Sequence, residues 1–169
     1  MKKGFTMIEL VFVIVILGIL ASLAVPKLAA TRDDAEATKA AVEIKDAITQ
    51  LTTYYIVNGS FNKNGSSGED ANNQDVTNGE FAKKNGNDYK VKPYSPTIAE
   101  VLGRSGNKWT DCISITPSNG TNDKPANIKV AKKEAGTSSF CSAIRGTQAF
   151  KDWSALTDGI QVGGSGIFK

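Results

Sequence analysis

The first third of the chain changes from an unbroken apolar run to a periodic apolar pattern. Leu10 to Val25 reads LVFVIVILGILASLAV, in which Ser22 is the one polar side chain. The wider segment from Phe5 to Val25 holds 21 residues. As an α-helix it would measure about 31 Å, enough to cross the hydrocarbon core of a bilayer. The pattern therefore predicts a transmembrane helix over residues 5–25.

Beyond Pro26 the apolar residues recur at helical spacing. They lie three or four residues apart, and charged residues occupy much of the remaining surface, which is typical of an amphipathic helix. The recurring positions are Ala37, Ala41, Ile44, Ile48, Leu51 and Tyr55. Pro26 removes one backbone donor and bends or loosens the helix without ending it, whereas Asn58-Gly59 is a stop signal. We predict one helix from about Phe5 to Val57, with residues 26–57 lying on a globular head.

The head, residues 58–169, begins with a polar connection over about 58–94. Residues 58–80 are rich in Gly, Asn and Ser without periodicity, which predicts a long exposed loop. Such a loop serves either as a solvated connector or as a surface that contacts neighbours or targets. Farther along, Thr97 and Glu100 stand at capping-box spacing ahead of Gly103, which predicts a short helix over residues 95–103.

Alternation of apolar and polar residues predicts a small sheet in the rest of the head. The predicted strands are Trp109–Ile115, Asn127–Ala131 and Ser138–Ile144, and the tail from residue 151 supplies a final strand or ordered segment at the sheet edge. Cys112 and Cys141 would then lie on the polar faces of their strands, away from the helix. The predicted fold class is α+β, a long N-terminal helix packed against an antiparallel β-sheet over about 108–169.

Composition narrows the chemistry of the chain. It contains two cysteines and no histidine, and so offers no zinc ligand set and no Ser-His or Cys-His pair. We therefore predict no catalytic residues, no enzyme activity and no cofactor. If the head lies outside the cytoplasm, Cys112 and Cys141 are best interpreted as one disulfide, with two free thiols as the alternative. Residues 58–169 carry 14 Lys and Arg against 11 Asp and Glu, which permits nucleic acid contact without indicating it.

Glu9 is the anomaly of the apolar segment, because an ionised carboxylate in hydrocarbon costs about 3 kcal/mol or more. A plain membrane anchor leaves Glu9 unexplained, unless its side chain reaches the headgroups as an interfacial residue. A secretory signal peptide cut after Ser22-Leu23-Ala24 would instead release a soluble exported binding protein. Two basic residues, Lys2 and Lys3, precede the apolar run, and they are compatible with both the membrane anchor and the signal peptide.

The stretch Gly4-Phe5-Thr6-Met7-Ile8-Glu9-Leu10, followed by Gly18 and Pro26, closely resembles the class III signal of type IV pilins and type II secretion pseudopilins. The resemblance implies that a prepilin peptidase cuts between Gly4 and Phe5 and methylates the new amino group of Phe5. The leader would be residues 1–4, held on the cytoplasmic side by its lysines. The mature chain would cross the inner membrane once, with its head in the periplasm.

The same resemblance implies assembly into a filament in the periplasm or at the cell surface. In such filaments Glu9 pairs with the N-terminal amine of a neighbouring subunit, and Gly18 and Pro26 mark a segment that can unwind on leaving the bilayer. The implied partners are copies of this chain, other pilin-like subunits, the prepilin peptidase, an inner-membrane assembly platform, and membrane lipid before assembly. The filament would push exported proteins outward in secretion, or act as a surface pilus for attachment, motility or DNA uptake.

Two aspartates near the C-terminus need a separate interpretation. Major pseudopilins often bind calcium near this end of the chain, and the resemblance extends that expectation to Asp152 and Asp158. No run of the sequence around them resembles a defined calcium loop. Aspartates beside a turn more commonly serve as turn residues.

Overall fold

The computed structural model of the chain describes residues 6–62, 71–78, 84–86, 88–121 and 124–163. The predicted leader, including Gly4, and the predicted mature N-terminal residue Phe5 lie outside these ranges. Part of the predicted loop, residues 63–70, and the last six residues of the tail, 164–169, also lie outside them.

A single helix, α1, runs from Met7 to Asn58 over 52 residues, with Pro26 inside it. Thr6 caps its N-terminus, and Gly59 ends it in the left-handed conformation at φ 70°, where a residue without a Cβ is favoured. The Gly59 N–H donates to the carbonyl of Tyr55 at 2.7 Å. The prediction of one long N-terminal helix is therefore confirmed, and the Asn58-Gly59 stop signal acts where expected.

The second half of α1 supplies one wall of the head's core. Its buried stripe consists of Ala37, Ala40, Ile44, Ala47, Ile48 and Leu51. Four of these match the predicted face, while Ala41 and Tyr55 are half-buried at its margin. Alanines at this surface allow neighbouring elements to approach the helix axis closely.

A three-stranded antiparallel sheet forms the other side of the core, in the order β3 (Ile113–Ser118), β4 (Asn127–Lys132) and β5 (Ile160–Gln161). A small hairpin of β1 (Lys84–Asn85) and β2 (Asp88–Tyr89) precedes it. Residues on β3 alternate between buried and half-buried, so that Ile113, Ile115 and Pro117 face the core. The predicted α+β class, a long helix packed against a small antiparallel sheet, is confirmed.

The predicted helix near residues 95–103 is present, but its cap is different. Helix α2 spans Pro96–Gly103, and Ser95 is its N-cap, accepting a hydrogen bond from the backbone of Ile98. Thr97 lies inside the helix and hydrogen-bonds to Asp46 and Gln50 of α1. The prediction of a Thr97–Glu100 capping box was therefore wrong. The helix begins instead at Ser95-Pro96, an N-cap serine followed by a proline at the first helical position.

The structure contradicts two of the predicted strand assignments. Residues Trp109–Asp111 form a 3₁₀ turn, so the first strand begins at Ile113 rather than at Trp109, and Asp111 is exposed. Ser138–Ile144 is not a strand, because α3 spans Ser139–Gly146 with Ser138 as its N-cap. A further helix, α4 (Gln148–Ala155), was not predicted at all. By contrast, the strand predicted at Asn127–Ala131 is confirmed as β4, and the tail does contribute the edge strand β5.

Part of the predicted exposed loop is buried. In the segment 71–78, Ala71, Val76 and Thr77 are almost fully buried. Val76 donates its N–H to the carbonyl of Ile115 at 2.9 Å, and the carboxylate of Asp75 accepts from the N–H of Ile115 at 3.2 Å. The segment thus covers the free edge of β3, since an uncovered edge would leave backbone groups unpaired.

Candidate functional site on the N-terminal helix

The first half of α1 makes no contact with the head. Every described side chain from Met7 to Leu28 is exposed, for example Phe12 at 66% and Leu23 at 70%. This segment is long and apolar enough to cross a membrane. A continuous apolar surface of this size has to be covered by lipid or by other helices.

Glu9 forms a capping box with Thr6 at the start of this surface. Its Oε2 atom accepts from the backbone N–H of Thr6 at 2.9 Å and from the Thr6 hydroxyl at 2.6 Å. The Thr6 hydroxyl in turn accepts from the Glu9 N–H at 3.4 Å. Within the described residues the other carboxylate oxygen, Oε1, accepts no hydrogen bond. The carboxylate therefore keeps acceptor capacity for a second donor.

Sequence reasoning missed Thr6 as a partner of Glu9. The signal was present, because Thr6-Met7-Ile8-Glu9 is a capping-box sequence immediately before an apolar run. Phe5, whose new amino group the resemblance implicates, lies directly before Thr6 but outside the described residues.

Gly18 and Pro26 lie farther along the same helix. A Cβ added at Gly18 would meet nothing within 4 Å, so no intramolecular contact requires glycine there. Pro26 lies within α1, which continues on both sides of it. At about 1.5 Å per residue, Glu9 and Pro26 are about 25 Å apart. The structure therefore spaces the predicted assembly residues along one helix and does not gather them into a pocket.

A charged anchor fixes the head on the second half of α1. Glu43 accepts from the Arg104 guanidinium, with an Nη1–Oε1 distance of 2.9 Å, and from the indole N–H of buried Trp109 at 3.1 Å. Burial disfavours the charged guanidinium, but its hydrogen bonds with Glu43 and Glu100 outweigh this and raise the pKa of Arg104. Sequence reasoning did not single out this anchor, because its members are far apart in the chain.

A second contact joins α1 to the loop after α2. The side-chain amide of Asn107 donates to Glu36 at 2.9 Å, and Arg32 pairs with the same carboxylate at 3.0 Å. The Asn107 hydrogen bond is the main reason, and Arg32 the next, that the pKa of Glu36 is lowered. The Asn107 hydrogen bond holds the loop against the helix, whereas the Arg32 pair lies within α1.

The disulfide between Cys112 and Cys141 is present, with a Cα–Cα distance of 5.0 Å and a sequence separation of 29. Its placement differs from the prediction. Cys112 lies between the 3₁₀ turn and β3, Cys141 lies on α3, and both are buried in the core rather than on polar strand faces. The bond links α3, which packs against α1, to the start of the sheet.

Asp152 and Asp158 form no cluster with the other acidic side chains that the structure describes. Asp152 accepts from the Gln148 amide at 2.7 Å, one turn away on α4, and Asp158 lies in the turn before β5. Among the described residues no group of three or more His, Cys, Asp or Glu could hold a metal ion.

Comparison with known proteins finds similarity to type IV pilins and to type II secretion proteins. The family model described as the prokaryotic N-terminal methylation motif matches residues 1–25. The type II secretion system core protein G of Dickeya chrysanthemi is 42% identical over 60 residues, which are 36% of this chain and 39% of that protein. The type IV wide pilus major component PilA4 of Thermus thermophilus is 42% identical over 62 residues, 37% of this chain and 47% of that protein.

A longer alignment exists with a Neisseria pilin. The type IV major pilin protein PilE1 of Neisseria gonorrhoeae is 30% identical over 113 residues, which are 64% of this chain and 68% of that protein. The secretion and wide-pilus proteins, in contrast, are matched over less than half of their own length. No solved structure matches the chain.

An exposed apolar half-helix that continues into a helix carrying a head is the architecture of a pilin-like subunit. The chain belongs to the family of type IV pilins and type II secretion pseudopilins. Proteins of this family are structural subunits and not enzymes.

Proposed function

We propose that this chain is cut between Gly4 and Phe5, methylated on Phe5, and polymerised from the inner membrane into a filament that serves protein secretion. The observation that carries the filament is the division of α1 into a wholly exposed apolar half and a half that carries the head. Before assembly, lipid covers the exposed apolar half of α1. In the filament, the same surface packs against the helices of other subunits.

Glu9 directs the position of each incoming subunit in this proposal. Cleavage creates an amine at Phe5, and Glu9 retains an oxygen, Oε1, that accepts nothing from the described part of its own chain. A carboxylate or an amine left unpaired in a dry helix bundle is costly, so a subunit stops where its carboxylate meets a neighbour's amine. Thr6 holds the Glu9 carboxylate at the helix start, beside the residue that bears this amine.

Gly18 and Pro26 give the first half of α1 its weakest backbone. Glycine has the largest conformational entropy to lose in a helix, and proline removes one hydrogen bond of the helix. Because the head does not support this segment, it can loosen locally while the subunit moves from the bilayer into the filament.

Secretion is supported by the identity to type II secretion core proteins. Core protein G from Dickeya chrysanthemi and from Pseudomonas aeruginosa are 42% and 44% identical to this chain over 60 and 57 residues, about the combined length of α1 and the segment before it. A surface pilus is the second candidate, because the alignments with Neisseria pilins extend over 106 to 113 residues and therefore include part of the head.

The test of the filament is Glu9→Leu, with Ser22→Leu as the matched control in the same apolar segment. Glu9→Leu should insert normally, since an apolar side chain replaces a costly carboxylate, but filaments should be lost because the neighbouring amine has no counter-charge. Ser22→Leu removes only a local bond to the carbonyl of Ile19, and should assemble. Filaments are measured by sedimentation of sheared material, the membrane fraction is quantified, and methylation of Phe5 is checked by mass spectrometry.

Normal filaments from Glu9→Leu would defeat the pairing mechanism. The same strain separates the two candidate roles. Loss of exported proteins from the medium supports secretion, whereas loss of surface filaments with unchanged export supports a pilus.

A further inference from the structure

The outward face of the sheet carries a polar groove of about 480 Å³. The register places Thr116 of β3 opposite Lys129 of β4, and Ser118, Asn127 and Gln161 form the next row across all three strands. Asn73, Lys124, Thr157 and Asp158 form its rim. Four separate stretches of the sequence, around residues 73, 116–118, 124–129 and 157–161, thus place hydrogen-bonding groups around one depression.

These side chains are not used by the fold. Within the described ranges, Thr116, Lys124, Asn127, Lys129, Asp158 and Gln161 form no side-chain hydrogen bond or ion pair. The cationic side chains of two other grooves are already partnered. Arg104 and Glu43 pair with each other in the groove beside α1, and Lys133 of a third groove binds Asp75 and the carbonyl of Thr110. Of these three grooves, the groove on the sheet face is therefore the one whose described lysines, Lys124 and Lys129, are free for a ligand.

The lining indicates the chemistry of that ligand. None of the described lining residues is aromatic, so a base or the apolar face of a neutral sugar has no ring to stack on. Lys124 and Lys129 attract anions, while Asn127 and Gln161 offer both donors and acceptors. Asp158 would repel a phosphate backbone but can accept hydrogen bonds from hydroxyl groups. We propose that this groove binds an acidic saccharide, with its carboxylate on the two lysines and its hydroxyls on Asp158, Asn127 and Gln161.

The position of the groove would allow many copies of a weak binding site to act together. It lies on the face of β3 and β4 opposite the core that they share with α1. This step rests on the proposed filament, in which α1 packs inside and the groove is repeated along the outside. Many equivalent sites on one rod raise the avidity for a long polymer about a hundredfold or more over a single site.

The probe is a hyaluronate tetrasaccharide, titrated calorimetrically into the full-length chain in uncharged detergent at physiological ionic strength. The neutral control probe is chitotetraose, and short duplex DNA is the third probe. Lys129→Glu should weaken hyaluronate binding about tenfold or more, since it replaces a charge-assisted contact by a repulsive one. Lys151→Glu makes the same charge change on α4, outside the groove, and should alter binding by about twofold or less.

Side-chain amide signals of Asn127 and Gln161 should shift in NMR spectra on addition of hyaluronate. Near-ultraviolet circular dichroism checks the fold, and Lys124→Glu replaces Lys129→Glu if the latter does not fold. Three outcomes would overturn the inference: no binding by the wild-type chain, equal loss with Lys151→Glu, or equally tight binding of chitotetraose or DNA. Sedimentation of filaments is measured separately. A chain that binds hyaluronate but does not polymerise refutes the proposed function and leaves this site standing.

Discussion

Removing the Cys112–Cys141 disulfide tests how the head is held together. The perturbation is Cys112→Ala with Cys141→Ala, because alanine leaves no buried hydroxyl at two sites that are 0% and 3% exposed. Reduction of the wild-type chain provides the same loss of the cross-link while both sulfur atoms remain. Ser142→Ala, one residue along α3 and exposed, is the matched control.

The magnitude follows from the loop that the bond closes. With 29 residues of separation, the chain-entropy model gives about 3.5 kcal/mol at 25 °C. The native contacts nearby do not depend on the bond, since the Arg145 guanidinium donates to the carbonyls of Cys112 at 2.7 Å and Lys133 at 2.6 Å. The effect should therefore come chiefly from the unfolded state. For a head of roughly 100 residues it corresponds to a fall in Tm of about 15 °C.

Thermal unfolding of the full-length chain in detergent, followed by the fluorescence of buried Trp109 and partly buried Trp153, measures the change. Ser142→Ala should melt within about 2 °C of the wild type, because an exposed hydroxyl contributes little. A double alanine variant that melts within about 3 °C of the oxidised wild type would refute the loop-entropy reasoning. A much larger loss in the double variant than in the reduced wild type would assign the stabilisation to packing of the sulfur atoms.

Two further predictions concern the contacts between α1 and the head. Glu43→Gln should lower the free energy of unfolding by about 1.5 to 3 kcal/mol, because Arg104 loses a charged partner. Glu100→Gln removes the other, more exposed partner of Arg104 and should lower the free energy of unfolding by less than about 1 kcal/mol. Denaturant titration measures the free energy of unfolding of both variants, and an equal decrease in the two would contradict this prediction. Because its pKa is lowered in the folded state, Glu36 stabilises the head above its ordinary pKa of 4.5, and this contribution is lost as the pH falls through the folded value. The stability difference between the wild type and Glu36→Gln should therefore shrink below pH 4.5, and a constant difference would contradict the assignment.

The long helix could be predicted because its signals are local. The unbroken apolar run, the periodic second half and the Asn58-Gly59 stop each act within a few residues. The α3 helix was misassigned because Phe140 and Ile144 are four residues apart, a spacing that suits one face of a strand as well as one face of a helix. Ser138 as an N-cap was the signal that separated the two.

The errors in the loop and in the placement of the disulfide arose from long-range contacts. Nothing near residues 71–78 shows that Asp75 will accept a hydrogen bond from β3, since the partner lies 40 positions away in the chain. The disulfide was predicted correctly from the compartment and the cysteine count, but on the wrong faces. The groove on the sheet could not be predicted, because its lining is assembled only by the pairing of β3, β4 and β5.

The central claim is that this chain becomes a filament subunit through processing at its N-terminus. The most direct measurement is intact and peptide mass spectrometry of the sheared, sedimented fraction of cells that express the chain. The expected result is a polymer whose subunit lacks residues 1–4 and begins with N-methylated Phe5. A mature N-terminus at Val25, or a chain that never enters a sedimenting polymer, would contradict the claim.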